Sequence, residues 1–309
     1  MIKKLSLAAL ALFVLSLIVP FFIPLSGMDG VIPDQPFTDS EFAEVDGVRV
    51  HWRQRNATNP DQPLVVLLHG FGGSGFSWRH SLDALEQAGV PVIAPDLPPF
   101  GYSQRTAAGP AWPDLVIRLA DQVAPDARLV LIGHSMGAGV AAEIASAVPD
   151  RVEQLIMVDG TPGINRSSGR LTWLLILPSV ARWVEVFAAH QLVNEDAITK
   201  LLTSAFGRAP DNEELAGYFE PLSIPNTYPA VLRRMSRRIV DSDNWSQTRT
   251  TVIWGENDAW VPLRHAEEFI QKHPEVTDIQ IIPESGHNPM DTHPNELNTL
   301  LLDLLILDP

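Results

Sequence analysis

Short apolar runs recur along this chain, and each is closed by glycine, aspartate or proline. Leu64 to Leu68, Val92 to Ala94, Leu129 to Ile132, Gln154 to Val158, Thr251 to Trp254 and Ile279 to Ile282 are of strand length and almost continuously apolar. A run without a polar face predicts a strand buried on both sides, as in a parallel sheet covered by helices. Helical patterns fall between these runs: from about Ser77, over Asp114 to Val123, directly after Ser135, over Leu263 to Lys272, and over Asn295 to Leu307. Strands and helices alternating at this spacing predict an α/β fold with a mainly parallel, doubly wound sheet. One segment differs. Phe42 to Trp52 alternates apolar and polar on both sides of Asp46-Gly47, which predicts an antiparallel hairpin.

From 163 to 244 the alternation stops. Helices are expected at Leu171 to Leu177, Val180 to His190, Glu195 to Phe206, Glu213 to Tyr218 and Pro229 to Asp241. Trp173, Trp183, Phe187, Phe206, Tyr218 and Phe219 are concentrated here, and most are expected to form this segment's own core. The sheet pattern resumes at 245 and continues to 309.

Residues 1–27 form a separate unit. Lys3 and Lys4 precede an apolar run from Leu5 to Val19, which continues past Pro20 and Pro24 to Leu25. A basic start and an apolar core describe a secretory signal or a signal anchor. The exit, Phe21-Phe22-Ile23-Pro24-Leu25-Ser26-Gly27, lacks a small-residue cleavage pattern, which favours a retained anchor over a cleaved signal. With its bulky end the run is long enough for a hydrocarbon layer of about 30 Å. The two lysines would stay cytoplasmic, placing the body on the periplasmic or extracellular side. Residues 28–41 read as a linker.

Composition narrows the chemistry. At 309 residues the chain can bury a full core, and its formal net charge of −15 argues against nucleic acid as a partner. It contains no cysteine, so disulfides, thiolate catalysis and cysteine metal sites are excluded.

The organising stretch is Leu129-Val130-Leu131-Ile132-Gly133-His134-Ser135-Met136-Gly137, a strand running into a small-residue helix through G-x-S-x-G. That pattern is the nucleophile elbow, a turn so tight that a Cβ at Gly133 or Gly137 would collide with its neighbours. Ser135 would stand clear of the sheet, and the N–H of Met136 would face a developing oxyanion at a helix start. A serine hydroxyl needs a base and a group that orients the base. His287, in a Ser-Gly-His loop after the last strand, is the best-placed base; Asp258, in a Gly-Glu-Asn-Asp turn after its strand, is the preferred acid. Asp159, also at a strand end, is its rival. His134 is read as structural, His69 as a loop brace, Glu256 as a turn residue, and His265, His273 and His293 as solvated.

These residues, with His69-Gly70-Phe71-Gly72-Gly73, the Asp96 to Ser103 turn and Gly255 to Pro262, resemble the α/β-hydrolase family in order and spacing over roughly 42–306. The resemblance implies an α/β-hydrolase core at 42–162 and 245–309, a helical cap inserted at 163–244, and Phe71 as the second oxyanion donor. It also implies a serine hydrolase without cofactor that acts on a small-molecule carbonyl substrate. Serine at the elbow sets the chain apart from haloalkane dehalogenases and epoxide hydrolases, which use aspartate there. Pro99 departs from the glycine that relatives often carry in the Asp96 turn. Gly70-Phe71-Gly72-Gly73-Ser74-Gly75, with Asp96 downstream, also fits a dinucleotide fingerprint, but the preceding hairpin and the later elbow, acid and histidine account for the same residues. A carboxylic ester hydrolase is the leading expectation; the alternatives are a carbon–carbon hydrolase of the meta-cleavage-product type and a catalytically silent binding protein on the same fold.

Overall fold

The structure, a computed structural model, describes residues 12–25, 28–56, 62–163, 177–235, 248–274, 276 and 278–306. Eight strands form one sheet: β1 (Ser40–Val45), β2 (Val48–Arg55), β3 (Leu64–Leu68), β4 (Val92–Pro95), β5 (Leu129–His134), β6 (Val152–Val158), β7 (Arg249–Gly255) and β8 (Asp278–Ile282). Their spatial order is β1-β2-β4-β3-β5-β6-β7-β8, in which β2 runs antiparallel to β1 and to β4 and the rest are parallel. The hairpin closes where Val45 pairs with Val48, and both turn residues, Asp46 (φ 49°) and Gly47 (φ 77°), adopt the left-handed backbone that a two-residue hairpin loop requires. Because β1 starts at Ser40, the expected linker is shorter than 28–41. Its first residue is not loose either, since Met28 is buried against Ala188, Ala189 and Val193.

The continuous runs are explained by packing on two faces. Leu64, Val66 and Leu68 of β3 join a core with α2 (Trp112–Val123), α3 (Met136–Ala147) and Ala266 and Phe269 of α8 (Arg264–Lys272). Val65 and Leu67 point the other way, onto α1 (Arg79–Gln87) and α9 (Pro294–Ile306). Alternating side chains therefore serve two cores, which is why no polar face appears in the sequence.

Between β6 and β7 lie α4 (Pro178–Gln191), α5 (Glu195–Phe206), α6 (Asn212–Leu222) and α7 (Thr227–Met235). Asn194 caps α5 through Ala197 N–H, and Asp211 and Glu214 form a reciprocal capping box on α6. All but the last residue of the helix expected at Leu171 to Leu177, Trp173 included, and the end of the one expected to reach Asp241 lie outside the described residues. Phe206 and Tyr218 are core residues of this segment, packed with Phe76, but Trp183 and Phe187 are exposed. A core role for those two is thus corrected, because they sit on the outward stripe of α4.

Residues 12–18 are helical and run into a 3-10 turn at Val19–Phe22. No helix among the described residues is long and apolar enough to cross a membrane. Much of the anchor expected over 1–27 lies outside the described residues.

Candidate active site

The elbow forms because β5 must enter α3 without room for side chains. A Cβ on Gly133 would lie 2.3 Å from the carbonyl oxygen of Gly137, and one on Gly137 would lie 2.3 Å from that of Leu68. Both contacts are far inside van der Waals distance, so glycine is required at each. Ser135 between them has φ 50° and ψ −113°, a strained conformation for a residue with a Cβ. It is held by a hydrogen bond from its N–H to the Val158 carbonyl (2.9 Å) and by Ala138 N–H on its own carbonyl (3.1 Å). Gly160 is pressed against it, since a Cβ there would meet the Ser135 oxygen at 2.5 Å.

The parallel strands bring three loops to the same edge. His287 Nε2 lies 3.1 Å from Ser135 Oγ, and His287 Nδ1 lies 2.7 Å from Asp258 Oδ2. A carboxylate beside Nδ1 fixes the proton there, which leaves Nε2 as an acceptor aimed at the serine hydroxyl. The second oxygen of the buried Asp258 carboxylate accepts the N–H groups of Trp260 (2.8 Å) and Val261 (2.9 Å). Trp260 stacks on the His287 ring at 5.3 Å, and its indole N–H donates to Ser204 Oγ (3.0 Å) on α5.

Asp159 occupies a different niche. It is buried behind the acid, and its Oδ1 accepts Gly255 N–H at 2.7 Å, tying β6 to the end of β7. Burial first, and then the charge of Asp258, push its pKa well above the usual carboxylate range. Through the Gly255 bond it braces the turn carrying Asp258.

The sequence reading missed what His134 touches. Its Nε2–H donates to the His287 carbonyl (2.8 Å) and its ring packs on the His287 imidazole at 4.9 Å. Burial holds it neutral, its pKa well below the ordinary histidine value. His287 N–H donates in turn to the Ala205 carbonyl (2.8 Å), so the inserted helices help set the height of the histidine loop. A cross-chain contact of that kind leaves no local sequence signal.

Met136 follows the serine directly, and the loop that carries Phe71 approaches it through Gly70. Met136 N–H opens α3, and the Phe71 loop is drawn close because Gly70 lacks a Cβ, which would otherwise lie 2.6 Å from His134 Nδ1. His69 accepts Leu97 N–H on Nε2 (2.9 Å), so its Nδ1–H donates to the Gly70 carbonyl (2.7 Å) and braces the loop. The dinucleotide match resolves into the same bracing. Asp96 is sealed from solvent and accepts Gly75 N–H (2.7 Å), Tyr102 N–H (2.6 Å) and His51 Nδ1–H (2.7 Å). Gly101 (φ 57°) is required beside it, where a Cβ would overlap the carboxylate. Glu256 caps a turn by accepting Glu284 N–H (3.0 Å). His265, His273 and His293 are half-buried rather than solvated, His273 packing on Phe269. Among the described residues, no group of three or more His, Asp or Glu side chains is placed to hold a metal ion.

Residues 65–300 match the alpha/beta hydrolase family. The chain belongs to that family. This hydrolase is 29% identical over 269 residues to the dihydrolipoyllysine-residue acetyltransferase component of the acetoin cleaving system of Cupriavidus necator, an alignment covering 84% of this chain and 67% of that one. It is 25% identical over 277 residues to a 2-hydroxy-6-oxononadienedioate/2-hydroxy-6-oxononatrienedioate hydrolase of Burkholderia vietnamiensis, covering 84% of this chain and 91% of that one. Among solved structures, a putative aryl esterase from Burkholderia cenocepacia superposes with a TM-score of 0.64 at 20% identity, over 87% of this chain and 98% of that one. That last likeness is one of fold.

Proposed function

We propose that this hydrolase cleaves carboxylic esters by a serine acyl-enzyme route without a cofactor. The observation that carries the reading is the relay from Asp258 through His287 to Ser135, with the imidazole proton held on Nδ1. In the first half-reaction Ser135 Oγ attacks the ester carbonyl carbon while its proton passes to His287 Nε2. Asp258 stabilises the resulting imidazolium, and the N–H groups of Met136 and Phe71 receive the charge that collects on the carbonyl oxygen. His287 then protonates the departing alkoxide, leaving an acyl-serine. Water, deprotonated by the same imidazole, attacks the acyl carbon and releases the acid and free Ser135. The inserted segment 163–244 acts in this reading as a cap that shapes the acyl pocket. The amino-terminal run holds the body on the periplasmic or extracellular face of a membrane.

A fluorophosphonate probe tests the route. The parent protein is expected to label stoichiometrically and Ser135→Ala not at all; labelling that survives in the variant removes Ser135 as nucleophile, and an unlabelled parent favours a binding protein on this fold.

A second reading has the same triad hydrolyse a carbon–carbon bond in a vinylogous 1,5-diketone. It is favoured by the similarity to the Burkholderia vietnamiensis hydrolase over nearly that protein's whole length. Turnover of p-nitrophenyl esters is compared with that of such a diketone, and preference for the diketone replaces the ester assignment.

A further inference from the structure

Helix α4 is built inside out. Its charged residues turn toward the protein. Arg182 donates to the carbonyls of Pro20 and Ile23, each at 3.1 Å, and Glu185, whose side chain is 9% exposed, accepts Asn226 N–H at 2.8 Å. Its large apolar residues turn outward: Trp183 is 40% exposed and Phe187 59%. They stand four apart on one stripe, whereas a surface helix of a globular domain normally buries that stripe and exposes its charges.

The stripe is continuous with the amino-terminal segment. Trp183 Nε1–H donates to the Ser16 carbonyl at 2.8 Å, and Leu12, Phe13, Leu15 and Phe22 of that segment are themselves exposed. Among the described residues, most exposed large apolar side chains lie either on 12–22 or between Leu177 and Leu192. Single exposed apolar residues need no explanation, but a contiguous patch shared by two hydrogen-bonded segments does.

We propose that this joint face rests on a lipid bilayer, with α4 as a second, lateral contact beside the amino-terminal run. Three observations select lipid as the occupant. Residues 5–28 carry no ionisable side chain, and in sequence this run is preceded by Lys3 and Lys4, whose charge complements lipid phosphates. Trp183 has a partly exposed ring and a satisfied N–H, the arrangement suited to a membrane interface. A second copy on the face would bring two chains of formal charge −15 together, and their mutual repulsion opposes that pairing. The amino-terminal run alone would let the body swing on its tether. The bonds from Arg182 and Trp183 fix the run against α4, so the inserted helices are held edge-on to the lipid.

The absence of cysteine makes the test clean. Phe187→Cys, and Arg128→Cys at the start of β5 as a control, are labelled with the fluorophore NBD in the full chain. Each is mixed with vesicles of phosphatidylcholine and phosphatidylglycerol, and fluorophosphonate labelling verifies the fold. Emission at position 187 is expected to move to shorter wavelength and to be quenched by nitroxide-bearing lipids, while position 128 stays water-like. Water-like emission at 187 in protein that floats with the vesicles would mean that the run alone binds, and the proposal fails. It fails equally if the protein does not float, or if the shift at 187 arises without vesicles as protein concentration rises, which would assign the face to a second copy.

Discussion

Asp258 and His134 both act on His287, one through its ring and the other through its backbone. In the proposed mechanism Asp258→Asn removes the acceptor that keeps the proton on Nδ1, and kcat is expected to fall about 10³- to 10⁴-fold with KM little changed. Steady-state kinetics on a p-nitrophenyl ester reads this directly. His134 is kept neutral by burial, so its effect appears in stability. Its folded pKa lies below its unfolded one. The unfolded chain therefore takes up a proton that the folded chain refuses as pH falls below about 6.5, and stability is lost in that direction. His134→Gln should lower the steepness of the loss between pH 6.5 and 5 by about 1.4 kcal/mol per pH unit. Urea unfolding of both proteins across that range measures the difference. Asp159, whose pKa is raised by burial and by the charge of Asp258, contributes with the opposite sign and is common to both proteins.

Among elements, the decisive contacts lie between the inserted helices and the loop after His287. Asp291 is buried and accepts Arg79 Nη1–H of α1 and the Tyr218 hydroxyl of α6, each at 2.6 Å. Asn288 donates to the Tyr218 oxygen (3.3 Å), and Arg208 ties the Asp291 carbonyl (3.2 Å) to Glu214 (2.7 Å). Tyr218→Phe leaves one carboxylate oxygen short of a strong donor in a dry site and should cost about 1–3 kcal/mol in unfolding free energy. Differential scanning calorimetry checks the loss. Gly137→Ala is predicted to do worse, because its new methyl would meet backbone and not a movable side chain. A loss of at least about 3 kcal/mol, or no soluble protein, is expected in expression and thermal-melt assays. Much of the parallel sheet, the hairpin and the elbow was legible in the sequence because local sterics and burial on both faces dictate them. The Arg79–Asp291–Tyr218 cluster was not, since its members are separated by up to 212 positions and each alone reads as an ordinary surface residue. Trp183 and Phe187 misled for the opposite reason. An aromatic pair at helical spacing reads the same whether protein or something outside it covers the stripe.

For the molecule as a whole, the sheet places Ser135, Asp258 and His287 at one edge, and the insertion is sewn to that edge by hydrogen bonds from Tyr218 and Arg208. Core and insertion should therefore melt together. A single calorimetric transition that coincides with loss of near-ultraviolet circular dichroism is expected, and a separate early transition for the insertion would contradict it. The bond from His287 N–H to the Ala205 carbonyl carries this coupling into the reactive centre itself. In the proposed reading the insertion that caps the serine is thus also a strut for the imidazole, and hinging away as one piece would carry off the base's own support. In that reading, substrate is expected to reach the serine without the insertion leaving as one piece. Exchanging this insertion for one of different shape, as a route to new selectivity, would succeed only where the replacement offers a helix-end carbonyl at the same height.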